Sequence, residues 1–463
     1  MTPRELVPRE GEIAVIGLAK SGRAVAMLLR KHGYNVYASD VASSPDTGRC
    51  AEELRAQGIA VDVGRHDLER LARAGLVVTS PGVPPSARPL AFARENGITI
   101  ASEVEVALNF LEEPRIIAIT GTNGKTTTTA LIAHLLRGLD LEAVEAGNIG
   151  TPLSDIAWRE QAPKWISLEM SSFQLHDTPS LKPVVGVLTN LSPDHLDRYS
   201  SVEEYYADKQ RLFANADGDS VWVVNHDDRA VMRMAQDVAG HKYSFSVSED
   251  AEACLDARTS ELVVLGTPLL RRRDLPLLGQ HNVGNALAAS LAVMAADRSH
   301  QTQKARKGIA AALRTFRSLP HRLELVGEFG GVQWINDSKA TNVSSAAVAI
   351  DGMERPTVLL LGGRHKGEAY TALSDVVRRK VKRVIAYGEA APIIATDLRP
   401  VVDVVRLGSD FDEVIQAARA AARPGDAVLL SPACSSYDMF SNYEERGERF
   451  RALAAKEAYG SIG

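Results

Sequence analysis

Short apolar runs that end in small or polar residues recur along the chain. Between them lie longer stretches whose apolar positions return every three to four residues. The first pattern reads as buried strands and the second as helices. "EIAVIG" leads into the turn "GLAKSG", a helix to about Lys31, the strand "YNVYASD" and later "LVVTSPG". That order predicts a Rossmann-like opening. An apolar run at 116–119 precedes "TGTNGK", and 127–136 repeats at helical spacing, so 121–126 is predicted to be a strand-to-helix turn. The strands "KWISLE" and "VVGVLTN" follow. From about Leu319, "VQWIND", "TVLLLGG", "RVIAYG", "VDVVRLG" and "AVLLSPA" alternate with helical stretches, which predicts a second doubly wound parallel sheet. The pattern divides the chain at 1–107, 108–318 and 319–463.

Composition adds limits. The 463 residues are 45% hydrophobic and 24% charged, ordinary for a globular chain long enough for several cores. A formal net charge of -5 gives no global basic field, so nucleic acid is not the expected partner and an anion site must be local. The triplet Arg271 to Arg273 is read as a solvated loop. Cys50, Cys254 and Cys434 are far apart and lack C-x-x-C spacing, which argues against disulfides or a thiolate zinc site. "MTPRELVPREGE" is too charged for a signal peptide, and no apolar stretch approaches the roughly 20 residues that cross a bilayer. A cytoplasmic chain without membrane insertion is expected.

The turn at 121–126 is the strongest chemical signal. Unpaired NH groups at a helix start carry partial positive charge, Gly121 and Gly124 permit close approach, and Lys125 adds a cation. The turn therefore reads as a phosphate-binding loop, with the Thr126 hydroxyl available to Mg2+. Ile119 stands where the longer form of the motif has its first glycine. Glu169 ends a neighbouring strand, where an acid can reach the same cation. Asp194, His195 and Asp197 form a compact group of potential ligands that could equally be a capping loop. Beyond them, Ser201 and Glu204 have capping-box spacing, and Lys209 shares a helix face with Val202, Tyr205, Leu212 and Phe213. A lysine so placed either snorkels to water or, desolvated, becomes a reactive amine able to take up carbon dioxide as a carbamate.

In the first segment, Gly17 and Gly22 keep the outer spacing of a dinucleotide fingerprint and Asp40 ends the second strand, but Ala19 replaces the middle glycine. An NAD-dependent oxidoreductase is the alternative of a different class, and a plain turn with Asp40 as a cap is the simpler one. In the third segment Asp337, Lys339, Lys366 and Ser436 fall at strand ends, where ligands of such sheets sit.

Taken together, "TGTNGKTT", "LEMSSFQL", "SPDHLDRY", "GQHNVGNALAA", "PHRLE", "NDSKATN" and "LSPACSSYDMF" resemble the Mur ligases of peptidoglycan synthesis, in order and spacing, over nearly the whole chain. "GLAKSG" with Asp40, "LGG" with the following lysine, and "SPACSSYD" look most like the branch that adds D-glutamate. That family also lacks glycine at the position of Ile119. The resemblance implies an α/β protein of three domains: a Rossmann-like UDP-binding domain, a central P-loop ATPase domain with a mostly parallel sheet, and a C-terminal Rossmann-like amino-acid domain. It implies ATP with two Mg2+ ions, the acceptor UDP-N-acetylmuramoyl-L-alanine, D-glutamate and an acyl phosphate, in a monomer. Gly121, Thr122, Asn123, Gly124, Lys125, Thr126 and Thr127, with Asn282, Arg322 and Asp337, would contact ATP. Thr126, Glu169, His195 and a carbamylated Lys209 would hold the metals. Ser21, Asp40, Ser80 and Gly82 would take the uridine diphosphate, with Asn148 and Gln174 nearer the sugar and its alanine. Lys339, Thr341, Lys366, Ser436 and Tyr443 would face the amino acid, and His321 would position the reacting groups. Arg364 and His365 beside Lys366, and Tyr443 where many relatives have phenylalanine, depart from the pattern. Within the same chemistry, a Mur ligase for another amino acid or a folylpolyglutamate synthetase is the alternative. Neither the "DNP" motif of diaminopimelate addition nor a start directly at the ATPase domain is present.

Overall fold

The computed structural model describes residues 7–8, 11–195 and 198–456, so Asp197 lies outside the described residues. Three sheets organise them. The first runs Ala60–Val63, Asn35–Asp40, Glu12–Ile16, Ala74–Thr79, Ile100–Ser102, with every pairing parallel. The strand Glu12–Ile16 is central because its core residues Ile13 to Ile16 are buried on both faces, as helices pack on each side.

The second sheet has nine strands, in the order Thr267–Arg271, Glu261–Val264, Ala253–Asp256, His241–Ser246, Val221–Asn225, Val185–Leu188, Arg115–Thr120, Trp165–Glu169, Ala143–Gly147. It is parallel except at one edge, where Ala253–Asp256, Glu261–Val264 and Thr267–Arg271 form an antiparallel meander. Arg115–Thr120 sits between Trp165–Glu169 and Val185–Leu188. The phosphate-type turn therefore opens beside the ends of both neighbours.

The third sheet runs Glu324–Phe329, Val332–Asn336, Ala427–Leu430, Thr357–Gly362, Val381–Tyr387, Val404–Arg406. The five strands read from the sequence pair parallel, as a doubly wound sheet requires, and a sixth is added at the edge. This one, Glu324–Phe329, pairs antiparallel with Val332–Asn336, because the turn at Gly330 and Gly331 is too short for a crossover. Val358, Leu359, Leu360, Val428, Leu429 and Leu430 are fully buried, so both faces of the central strands are covered.

By their contacts the residues form two compact units. One comprises the chain up to Asp274 together with Gly284–Arg314 and contains the first two sheets. The other comprises Leu275–Val283 and the chain from Thr315, with the third sheet. Within the first unit, Ser102 N donates to the Asp177 carbonyl (2.8 Å), Ser154 N to Glu103 (2.5 Å) and Ser180 N to Glu105 (3.1 Å). The segment 102–105 thus joins the first sheet's helices to the second sheet's through buried polar contacts. No helix among the described residues is long and apolar enough to cross a membrane.

Candidate active site

The turn after Arg115–Thr120 is held in a shape that excludes side chains. Gly121 has φ +143°, and a Cβ there would lie 2.0 Å from Thr189 Oγ1. Gly124 has φ +81°, and a Cβ would lie 2.5 Å from Asn285 Oδ1. Both conformations belong to glycine. Neighbouring strand ends complete the cradle: Asn190 brackets Asn123, accepting from its N–H (2.8 Å) and donating to its carbonyl (2.9 Å), while Thr189 Oγ1 donates to the same carbonyl (2.7 Å). Helix Lys125–Arg137 then begins with Lys125, Thr126 and Thr127 in its first turn.

Two lysines converge on this turn. Lys125 Nζ donates to the carbonyls of Gly121 (3.0 Å) and Thr122 (2.7 Å). Lys209 Nζ donates to the Gly121 carbonyl as well, at 2.6 Å, and its side chain is only 1% exposed. Burial first, and then the neighbouring Lys125 charge, hold the Lys209 amine well below the usual lysine range. Its helix, Val202–Gln210, is capped by Ser201, which accepts from Glu204 N; the Glu204 carboxylate takes Ser200 N rather than Ser201 N, so the expected capping box is half formed. Tyr205 packs between turn and helix: its hydroxyl lies 3.2 Å from Thr122 Oγ1 and its ring 4.6 Å from Lys209 Nζ.

Glu169 ends its strand as expected and is buried. Oε1 accepts from Asn148 Nδ2 at 2.9 Å, and Oε2 has no hydrogen-bond partner among the described residues. A buried carboxylate oxygen without a partner is costly unless a cation takes it, so this atom fits a metal site. His195 is exposed, with φ +56°, and lies against Asp194 and the rings of Phe173 and Tyr205. Among the described residues no group of three or more His, Cys, Asp or Glu side chains is gathered as a metal site. The ligand set suggested by sequence therefore depends on the threonine hydroxyl and a modified lysine as much as on acids.

In the first sheet, Gly17 (φ +94°) makes the turn before helix Lys20–Lys31, which carries Ser21, and Gly22 inside that helix packs on the turn, where a Cβ would lie 1.7 Å from the Gly17 carbonyl. Ser80 Oγ donates to the Gly17 carbonyl (3.1 Å), and Gly82 is exposed nearby in sequence. Asp40 accepts from Leu18 N (2.7 Å) and Ala42 N (2.8 Å), so its carboxylate braces this turn. Ser80 and Gln174 line one cleft together with Pro81, Phe173 and Arg94. Gln174 is buried, its Oε1 accepts from Ser171, and its Nε2 has no partner among the described residues.

The remaining sequence-derived residues belong to the second unit. Asp337 accepts from Leu323 N (3.2 Å) and Ser431 Oγ (2.9 Å), and burial pushes its carboxyl up to about 7. His321 (φ +64°) is enclosed: a Cβ on Gly447 would lie 2.1 Å from its Nδ1, which faces the Asn336 amide at 3.0 Å, and burial lowers its pKa. Arg322 is half-buried beside it. Lys339 Nζ lies 4.0 Å from the Tyr443 ring centre, and Thr341 N donates to the Lys339 carbonyl. Ser436 is buried, whereas Lys366 is exposed. The two departures beside Lys366 have local partners, Arg364 with Glu389 (3.2 Å) and His365 with the Tyr370 hydroxyl (3.1 Å). Asn282 donates to the Leu278 carbonyl (2.8 Å). It is Asn285, one helical turn on and not singled out by sequence, that meets the turn at Gly124 and Thr128. Thr189 and Asn190 were also missed. Their signal was the polar pair closing the apolar strand "VVGVLTN".

Comparisons with known proteins agree along the chain. A family model described as "Mur ligase MurD-like, N-terminal domain" matches residues 11–102, "Mur ligase middle domain" matches 119–293, and "Mur ligase, glutamate ligase domain" matches 321–434. A UDP-N-acetylmuramoylalanine–D-glutamate ligase of Desulfatibacillum aliphaticivorans is 39% identical over 443 residues, covering 95% of this chain and 97% of its own. One from Acidobacterium capsulatum is 40% identical over 455 residues, covering 96% and 95%. Among solved structures, the UDP-N-acetylmuramate-alanine ligase MurC of Thermotoga maritima shares the fold with a TM-score of 0.61 at 19% identity, covering 98% of this chain and 100% of that one. A pseudomurein peptide ligase type C from Methanothermus fervidus does so at 0.59 and 20%, covering 96% and 100%.

Proposed function

The chain belongs to the Mur ligase family, and from that premise we propose that it is the ATP-dependent amide ligase joining D-glutamate to UDP-N-acetylmuramoyl-L-alanine. The observation that carries the phosphate chemistry is the Gly121 turn, whose one carbonyl receives both Lys125 and the buried Lys209. The Lys125 charge stands at the positive end of helix Lys125–Arg137, so this turn favours a polyphosphate.

Under this reading residues 1–107 hold the uridine diphosphate through Ser21, Asp40, Ser80 and Gly82, residues 108–318 hold ATP, and residues 319–463 hold the amino acid, in a cytoplasmic monomer. The alanyl carboxylate oxygen attacks the γ phosphorus, ADP leaves, and an acyl phosphate results. The D-glutamate nitrogen then attacks the acyl carbon, phosphate leaves, and the amine gives up a proton as the amide forms. Lys125 neutralises charge developing on the transferred phosphoryl group. Gln174 Nε2, buried without a partner among the described residues, offers a donor to the sugar–alanine side, and Asn148 fixes the Glu169 carboxylate. Thr126, Glu169, His195 and Lys209 would hold Mg2+, which when bound supplies Lewis-acid polarisation of phosphoryl oxygens. Lys209 fits that role as a carbamate, because its neutral amine can add carbon dioxide. Intact mass or density at neutral pH should show the extra carboxyl group, and Lys209→Ala should regain part of its activity with added acetate.

The deciding measurement is phosphate release with ATP, Mg2+, UDP-N-acetylmuramoyl-L-alanine and a panel of amino acids. D-Glutamate should be preferred, D-alanine should fail and L-glutamate should misplace its amine. If L-lysine or diaminopimelate works better, or a folate acceptor replaces the UDP substrate, the assigned substrates are wrong.

A further inference from the structure

Three adjacent parallel strands of the third sheet, Val332–Asn336, Ala427–Leu430 and Thr357–Gly362, release the loops that carry Lys339, Ser436 and Lys366. One side chain reaches all three. Arg446 is fully buried, on helix Tyr443–Ala455. Its Nε donates to Ser338 Oγ (2.9 Å), Nη2 to the carbonyls of Ser338 (2.8 Å) and Cys434 (3.2 Å), and Nη1 to those of Cys434 (3.2 Å) and Gly362 (3.5 Å). Ser338 Oγ in turn donates to the Tyr443 carbonyl (2.8 Å). Gly363, with φ +129°, leaves the room: a Cβ there would stand 3.2 Å from Nη1 and 2.2 Å from the Ser435 carbonyl.

No carboxylate forms an ion pair with this guanidinium among the described residues. A buried cation stabilised only by carbonyl and hydroxyl oxygens is an expensive way to fill space, since an apolar residue would pack there without the desolvation penalty. Nor does the helix benefit. Arg446 lies one turn from its N-terminus, where the dipole favours negative charge and where Glu444 and Glu445 already stand. What the fork does supply is geometry, because its donors are coplanar and fix the spacing of whatever they bind.

We infer that Arg446 is a positioning residue that sets the spacing of these three loops for the incoming amino acid, and that its charge, held in no carboxylate ion pair, biases their pocket toward an acid bearing a second carboxylate. The inference rests on the proposed reading of the loops as the amino-acid side. Residues 339, 366 and 436 would touch the ligand, and Arg446 acts through them.

Arg446→Lys keeps the charge and loses the fork, whereas Arg446→Gln loses both. In steady-state assays with each substrate varied in turn, the KM for D-glutamate should rise about tenfold in the lysine variant and further in the glutamine variant, with the KM for ATP held within about twofold. Guanidinium ion at millimolar concentration should lower the D-glutamate KM of Arg446→Ala toward the parent value. A folded Arg446→Lys with an unchanged D-glutamate KM overturns the inference, as does an equal rise in all three KM values, which marks a merely structural role. Should the variants not fold, hydrogen exchange on the unaltered protein decides: D-glutamate, added with the UDP substrate and a non-hydrolysable ATP analogue, should slow exchange at 338–341, 363–368 and 434–437 together. Protection of one loop alone counts against it. If the parent enzyme turns over a different amino acid, the assigned substrate fails, and Arg446 is judged on the KM of that amino acid instead.

Discussion

The Gly121–Thr126 turn and the loops beyond the third sheet both place cations at the ends of parallel strands, but they are held differently. The turn is one contiguous stretch. Its left-handed glycines dictate its path, and the side chains that steady it, Thr189, Asn190 and Asn285, add one or two hydrogen bonds each or close packing. The loops carrying Lys339, Lys366 and Ser436 come from three separate stretches of the chain and have no shared backbone logic. They are tied to one another through an Arg364–Ser435 bridge, an Ala433–Ala340 hydrogen bond and the buried Arg446. A local turn survives the loss of a helper, whereas a site assembled from distant loops depends on whatever spans them.

The largest expected effect tests the contiguous site. Lys125→Ala should lower substrate-dependent phosphate release by about 10²–10³-fold, the loss typical of removing one preorganised charge, with little change in thermal unfolding. Near-normal turnover would remove the turn from the mechanism. Gly121→Ala should both unfold more readily, by about 1–3 kcal/mol, and lose turnover, because the added carbon meets Thr189 in a strained backbone. Denaturant titration checks the first effect; an unshifted midpoint would mean the turn relaxes freely.

Each unit also carries a buried acid, which allows a comparison by pH. Burial pushes Glu103, which joins the first two sheets, from its ordinary 4.5 to about 7, and Asp337 in the second unit from 3.8 to about 7. Between these limits the folded chain binds more protons than the unfolded one. The stability from each group is fully present below its ordinary value and is lost as pH rises through about 7. Glu103→Gln should therefore flatten part of the decline in stability between pH 5 and 8, by on the order of 1–3 kcal/mol. Parallel curves for variant and parent would show that Glu103 stays ionised. Smallest of all, Asn285→Ala removes a contact worth about 1 kcal/mol and should raise the apparent KM for ATP about fivefold. An unchanged KM would show that Asn285 does not set the turn for ATP.

Much of the fold was legible because parallel strands buried on both faces read as unbroken apolar runs. Ile116 to Ile119 and Leu359 to Leu361 are examples, and all but Ile116 are completely shielded. The antiparallel strand Glu324–Phe329 was harder to read, since its burial alternates only loosely and its direction depends on a tight turn rather than on hydrophobicity. Of the candidate site, the glycines and lysine of the turn and the strand-end Glu169 stood out by position. Lys209 stood out by sitting among apolar residues, but its partner, the Gly121 carbonyl 88 positions away, did not.

The sequence alone determined many of the strands, the path of the glycine turn and the family, since apolar runs, glycines at a turn and ordered motifs are properties of neighbouring residues. Only the tertiary structure decided that Lys125 and Lys209 share one carbonyl, that Glu169 keeps one oxygen without a partner among the described residues, that Asn285 rather than Asn282 meets Gly124, and that Arg446 lies wholly buried against three loops. Each of these depends on which strands become neighbours in a sheet. Strand order is set by the packing of the whole core and not by any local pattern, and an arginine in a helix reads as a surface charge until a fold closes over it.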